Sequence, residues 1–208
     1  MILCWAAKGG SGTTVIACAF ALGAPRSRAT TLIDLRGDCP TALGMDEPSG
    51  PGVVDWLASP TATAVDLDRL AITIRDETRL IPRGDGDPAV DRWSLLANAV
   101  GTSANVFIDA GTGCPPAALH DAADQSLLIT RPCFLAIRRA QQLSIRPTGI
   151  VLVDEPGRAL TARDVEHALG VPVVAEVRLD PAVARAVDAG LLIARLPSSL
   201  VGALRRAA

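Results

Sequence analysis

Lysine is almost missing from this chain: of its 20 basic residues one is lysine, Lys8, and the other 19 are arginine. There is no surplus of positive charge either. The 22 acidic residues leave a net charge of −2 and a pI of about 5.7, so no global cationic signature for nucleic acid is encoded. No apolar run reaches the roughly 18 residues that read as a membrane-spanning helix. Met1 leads straight into a strand-like segment, which argues against a signal peptide. The five cysteines, Cys4, Cys18, Cys39, Cys114 and Cys133, contain no C-x-x-C spacing. An odd number without metal spacing fits reduced thiols better than a disulfide framework and makes a cytoplasmic location the expectation. Internal repeats and long linkers are absent, and the Pro/Gly-rich stretches Glu47–Gly52 and Pro82–Pro88 read as loops rather than domain boundaries. What is present is 208 residues, 49% of them hydrophobic. That suits one compact domain spanning residues 1–208 with a sizeable core.

Apolar, β-rich runs alternate with helical patterns along the whole chain. The expected strands are Ile2–Ala6, Thr30–Asp34, Thr78–Pro82, Asn105–Asp109, Gln125–Thr130, Gly149–Val153 and Pro172–Val177. Between them lie the expected helices Thr14–Leu22, Val53–Ala58, Val90–Val100, Phe134–Leu143, Ala162–Leu169 and Ala182–Asp188, with a short last helix at about 198–206. Such alternation predicts an α/β fold: a mostly parallel sheet with helices on both faces, in three layers. Continuous apolar runs such as Val106–Ile108 fit strands buried on both sides. Ligands of such sheets gather at the carboxyl ends of the strands, which is where Asp34 and Asp109 fall.

The most informative stretch lies between the first strand and the first helix, Ala7-Lys8-Gly9-Gly10-Ser11-Gly12-Thr13-Thr14. Glycines at three of four positions let the chain turn tightly and direct backbone N–H groups into one concavity. The positive end of the following helix adds to a setting suited to phosphate. The P-loop pattern G-x-x-x-x-G-K-S/T is nevertheless broken twice, by Ala7 at its first glycine and by Thr13 at its lysine. Losing that lysine removes a charge-assisted contact of about 1.5–3 kcal/mol. Thr14 occupies the hydroxyl position that ligates Mg²⁺ in P-loop proteins; a helix N-terminal hydroxyl satisfying backbone N–H groups is the plainer alternative.

The turn resembles the deviant Walker A motif of the ParA/MinD superfamily, K-G-G-x-G-K-S/T, with Lys8 matching the signature lysine at its front. The resemblance is closest to the CpaE/TadZ-like branch associated with Tad/Flp pilus and secretion systems, in which the second lysine is often missing. It implies a P-loop ATPase fold, ATP and Mg²⁺ as ligands, and a nucleotide-dependent homodimer in which Lys8 reaches the partner's nucleotide. Lys8, Gly9, Gly10, Ser11, Gly12, Thr13 and Thr14 are then the phosphate site. Leu32-Ile33-Asp34-Leu35-Arg36-Gly37-Asp38 resembles the family's switch I segment, hydrophobic-D-x-D. Asp34 matches the first aspartate, Arg36 replaces the second, and Asp38 is a candidate substitute. Arginine cannot accept a hydrogen bond from an attacking water, but it suits phosphate charge. Solvated loop charges are the equal alternative for Arg36 and Asp38.

Asn105-Val106-Phe107-Ile108-Asp109-Ala110-Gly111-Thr112-Gly113 resembles Walker B and switch II. Asp109 is expected on the metal side, with Thr14 and Asp34, and the Gly111 N–H is a candidate donor to a terminal phosphate. Ala123-Asp124 through Pro132 resembles the family's next strand segment. The base-side positions fall on Asp154, where the family usually has asparagine, and on Asp180 of Arg178-Leu179-Asp180-Pro181. The set implies Lys8, Asp34 and Asp38 as the catalytic group, with turnover of ATP to ADP and phosphate left open by Thr13 and Arg36.

Three readings follow from the resemblance: an ATP-dependent dimeric switch that positions or assembles a pilus or secretion machine, a degenerate scaffold that localises protein partners without hydrolysis, and a DNA-partitioning ATPase. Arg138, Arg139 and Arg146 are the candidate DNA patch, which the acidic pI disfavours. Trp56 is either a partner-facing anchor or a core tryptophan. Leu196, Leu200, Val201 and Leu204, followed by Arg205 and Arg206, form either a peripheral membrane contact or a last helix docked on the sheet.

Overall fold

The computed structural model describes residues 1–87, 92–101, 105–205 and 207. In chain order the first elements are β1 (Ile2–Ala6), α1 (Thr13–Gly23), β2 (Thr30–Asp34), α2 (Cys39–Leu43), α3 (Val53–Ala58) and α4 (Ala64–Arg69). They are followed by β3 (Ile72–Arg75), β4 (Thr78–Ile81), α5 (Trp93–Val100), β5 (Val106–Thr112), α6 (Ala117–Ala122) and β6 (Gln125–Thr130). The chain ends with α7 (Phe134–Gln141), β7 (Gly149–Asp154), α8 (Ala162–Leu169), β8 (Val173–Arg178), α9 (Pro181–Asp188) and α10 (Ser198–Leu204).

The strands form one sheet of eight in the order β3-β4-β2-β5-β1-β6-β7-β8. Every neighbouring pair is parallel except β3 with β4. The chain first builds outward from β1 on one side, returns with β5 between β2 and β1, and then crosses to β6 on the other side. The carboxyl end of β1 is therefore the topological switch point, the place where such sheets open a crevice for ligands.

Side chains alternate across a strand, and β1 shows the consequence. Ile2 and Cys4 join a core with Ala17, Phe20, Leu32, Phe107 and Leu200, whereas Leu3 and Trp5 join a second core with Ile33, Trp56, Leu96, Ile108 and Leu152. One sheet thus separates two cores, with α1 and α10 contributing to the first and α3, α5 and α8 to the second. Trp5 and Trp56 are both buried, and their indole N–H groups are satisfied by Ser126 Oγ at 2.9 Å and the Thr63 carbonyl at 2.7 Å. Trp56 is accordingly a core tryptophan and not a partner-facing anchor.

The structure adds elements to the expected set and decides between the alternatives for the last helix. β3, the antiparallel edge strand, is not among the expected strands. Its pattern is short and only half-buried, too weak to signal a strand, and Arg75 fastens it to the Leu22 carbonyl at the end of α1. The short helices α2, α4 and α6 were also not expected; each is five or six residues long, below the length at which helical periodicity shows. Finally, α10 is docked. Leu200, Leu204 and Ala207 are at most 3% exposed and belong to the core over α1 and β8, so the leucine face considered for lipid is already covered. The start of the expected helix Val90–Val100 and Arg206 lie outside the described residues. No helix among the described residues is long and apolar enough to cross a membrane.

Candidate functional site

The turn after β1 is shaped by its glycines. Gly10 and Gly12 have φ of 76° and 90°, backbone that side-chain-bearing residues adopt at a cost, and Gly12 is the N-cap from which α1 starts. Ser11 is buried and its hydroxyl donates to the Lys8 carbonyl at 2.7 Å, which closes the turn on itself. Gly9 and Gly10 stay exposed at the rim. Lys8 is half-buried, and its ammonium donates to the Gly9 carbonyl at 3.3 Å. Thr13 is buried and Thr14 half-buried, so the two hydroxyl residues of the first helical turn occupy different environments.

Two aspartates stand behind this turn. Asp34 and Asp109 end their hydrophobic runs at matched positions of the parallel pair β2 and β5, and both are fully buried. Asp34 is held by the chain that follows it. Its Oδ1 accepts from the Arg36 and Gly37 N–H groups at 2.8 and 2.7 Å, and its Oδ2 accepts from the Cys39 N–H at 2.8 Å. The carboxylate therefore organises the β2–α2 turn, and it also lies within 4.8 Å of the Asp109 carboxylate. Asp109 Oδ1 accepts from the Gly111 N–H at 2.9 Å, and the nearby Thr14 hydroxyl favours the ionised carboxylate.

Burial without a compensating cation pushes the Asp109 carboxyl up to about 6. The Thr14 and Gly111 hydrogen bonds oppose that rise, and the nearby carboxylates of Asp34 and Asp38 add to it. Cys39 is a third buried neighbour: its thiol donates to Asp109 Oδ2 at 3.8 Å, and ligand atoms of Asp34, Cys39 and Asp109 lie within 4.8 Å of one another. The Cys18 thiol and burial raise Cys39, and burial beside Asp109 raises Cys4. All three thiols are buried and free. Nothing in the spacing of the sequence marks Cys39 as part of this group; it lies there because α2 begins right after the turn that Asp34 organises.

Most of the expected phosphate-side residues converge, but two behave differently from expectation. The Gly111 N–H is directed at Asp109 Oδ1, not outward, because β5 continues through Asp109 to Thr112 and bends at Gly111, whose φ is +67°. Asp38 is exposed and is the N-cap residue of α2 without a side-chain capping bond. At the far side, Asp154 ends β7 and Asp180 follows β8 on the neighbouring strand, so the two base-side candidates share an edge. Asp180 Oδ1 accepts from the Ala182 N–H at 2.7 Å and caps α9. Arg138, Arg139 and Arg146 are exposed, the first two on α7.

The residues fit a hard divalent cation. The Thr14 hydroxyl and the Asp109 carboxylate are oxygen donors of the kind such an ion takes, and the Asp34 carboxylate lies within 4.8 Å of that of Asp109. Thr14 and Asp109 are the side chains that would hold the ion, with Asp34 behind them.

No protein-family model matches the chain, and no curated protein matches it in sequence. Solved structures do resemble it. The ParA family ATPase of Chlorobium tepidum superposes with a TM-score of 0.78 at 19% identity, over 97% of this chain and 94% of that one. The septum site-determining protein MinD of Pyrococcus horikoshii, solved with Mg-ADP, gives 0.72 at 18% identity over 99% and 93%. MinD in the MinC:MinD complex of Aquifex aeolicus gives 0.78 at 15% identity over 99% and 94%. The chain therefore has the α/β P-loop fold of the ParA and MinD ATPases, over nearly its whole length.

Proposed function

We propose that the chain is a single-domain member of the ParA/MinD superfamily that binds ATP with Mg²⁺ and pairs with a second copy when loaded. The observation that carries this reading is the buried pair Asp34 and Asp109 at matched strand ends, with carboxylate oxygens within 4.8 Å of each other, beside the glycine turn at the switch point of the sheet. Thr14 and Asp109 would hold a magnesium ion there, which would supply positive charge to the phosphates. The backbone N–H groups of residues 9–14 receive the phosphates, Thr14 and Asp109 orient the ion, and Asp34 fixes the turn beside them. Asp154 and Asp180 flank the base.

Lys8 stands at the front of the turn as the chain's single lysine, and by the family resemblance it would serve the nucleotide of a facing copy. Phe134 and Leu135 are 73% and 49% exposed at the start of α7, just beyond the carboxyl end of β6. They add apolar surface on the same edge, which supports pairing through that edge. By its resemblance to the CpaE/TadZ-like branch, the switch positions or assembles a pilus or secretion machine through a protein partner. MinD has been solved in complex with MinC, and a partner protein docking on the loaded dimer is the corresponding expectation here.

A second reading has its own support. Thr13 replaces the phosphate lysine and the Gly111 N–H is engaged by Asp109, which favours a scaffold that localises partners without turnover. Calorimetric titration with ATP, with and without Mg²⁺, separates the two. Saturable, Mg²⁺-dependent binding supports the switch, and absence of binding at millimolar ATP leaves the scaffold.

A further inference from the structure

The turn that Asp34 organises lays Arg36 across the end of β5. Its backbone N–H is fixed on Asp34 Oδ1, and its stem runs over Gly111: a Cβ built on Gly111 would stand 2.3 Å from Arg36 Cγ and 2.8 Å from Cδ and Nε. Only glycine leaves room for that stem. The side chain itself is exposed, and among the described residues its guanidinium has no carboxylate within ion-pair distance, although Asp34, Asp38 and Asp109 are all close in the chain or the sheet.

The neighbouring residue Thr112 lies against the phosphate turn, with its Oγ1 3.9 Å from where a Gly9 Cβ would be. An unpaired cation is thus held on the rim between Asp109 and the glycine turn, and the turn lacks one cation at Thr13. Guanidinium offers a planar fork of donors that matches phosphate oxygens.

Resting on the nucleotide-binding reading above, we infer that Arg36 supplies the phosphate charge missing at Thr13, reaching the terminal phosphate of the chain's own nucleoside triphosphate from the β5 side. Arg36 lies over Gly111, two residues beyond Asp109 on β5, and is assigned to the terminal phosphate on that side. It therefore favours a triphosphate over a diphosphate.

The test is Mg-ATP and Mg-ADP binding by calorimetry to the wild-type chain, Arg36→Ala and the double variant Arg36→Ala/Thr13→Lys, with thermal melts to show that each is folded. Arg36→Ala is expected to weaken ATP binding roughly tenfold to a hundredfold and ADP binding less than about threefold, and the lysine at position 13 is expected to restore ATP affinity. Wild-type binding with Arg36→Ala unchanged within about twofold would overturn the role of Arg36 and leave nucleotide binding standing. Equal losses for ATP and ADP would overturn the assignment to the terminal phosphate. No binding of either nucleotide to the wild-type chain would overturn the nucleotide reading and this inference together.

Discussion

At the scale of the residue, the two buried aspartates do different work although both end a hydrophobic strand. Asp34 gathers three backbone N–H groups, and Asp34→Ala would leave them without acceptors, at a cost of about 2–4 kcal/mol. Denaturant unfolding should show that loss. Asp109 carries the opposite signature. Its carboxyl is raised to about 6, so between about pH 4 and pH 6 the folded chain holds a proton that the unfolded chain has released. Stability of the metal-free protein therefore falls as pH rises through that window, by an amount on the order of 3 kcal/mol. Asp109→Asn should raise the melting temperature of the metal-free protein at pH 8, flatten its dependence between pH 4 and 6, and abolish Mg²⁺-dependent nucleotide binding. A melting temperature that is unchanged at pH 8 would show that the charge is compensated.

Much of this site was legible because its residues sit at strand ends, and strand ends are visible in hydrophobic patterns. Asp34, Asp109 and the turn from Lys8 to Thr14 were found in that way. The direction of the Gly111 N–H and the place of Cys39 were not, because each depends on how a few residues bend after a strand. The first is claimed by the carboxylate two residues earlier. The second is carried inward by the turn around Asp34.

Among the elements, sequence and structure agree best where burial is two-sided. β1, β2 and β6 keep the limits expected from their apolar runs, since a strand covered on both faces must be apolar at successive positions. β3 escaped notice because an edge strand with mixed exposure has no such constraint. For α10 the leucine spacing identified the helix but not its surroundings, because a core face and a lipid face share one pattern. The structure gives the face to the core. Leu200→Ala should then cost about 2–5 kcal/mol, read as a lower denaturation midpoint, and removal of residues 198–208 should reduce solubility. Truncation that leaves the chain soluble and equally stable would contradict the docked helix.

For the molecule as a whole, the turn, Asp109 and the exposed Phe134 and Leu135 share the carboxyl edge of one sheet. On the proposed reading, that edge with nucleotide bound and its apolar side chains would meet its own copy, with Lys8 at the front of the turn. Lys8→Ala should leave the unfolding free energy within about 0.5 kcal/mol of the wild-type value, as a change of a partly exposed side chain does, yet prevent association. The most direct measurement is the mass of the protein in solution by light scattering as Mg-ATP is added, for the wild-type chain and for Lys8→Ala. The account predicts that the wild-type mass doubles as ATP saturates while the variant stays at one chain; a wild-type mass that does not change with bound ATP, or a variant that doubles as readily, would contradict it.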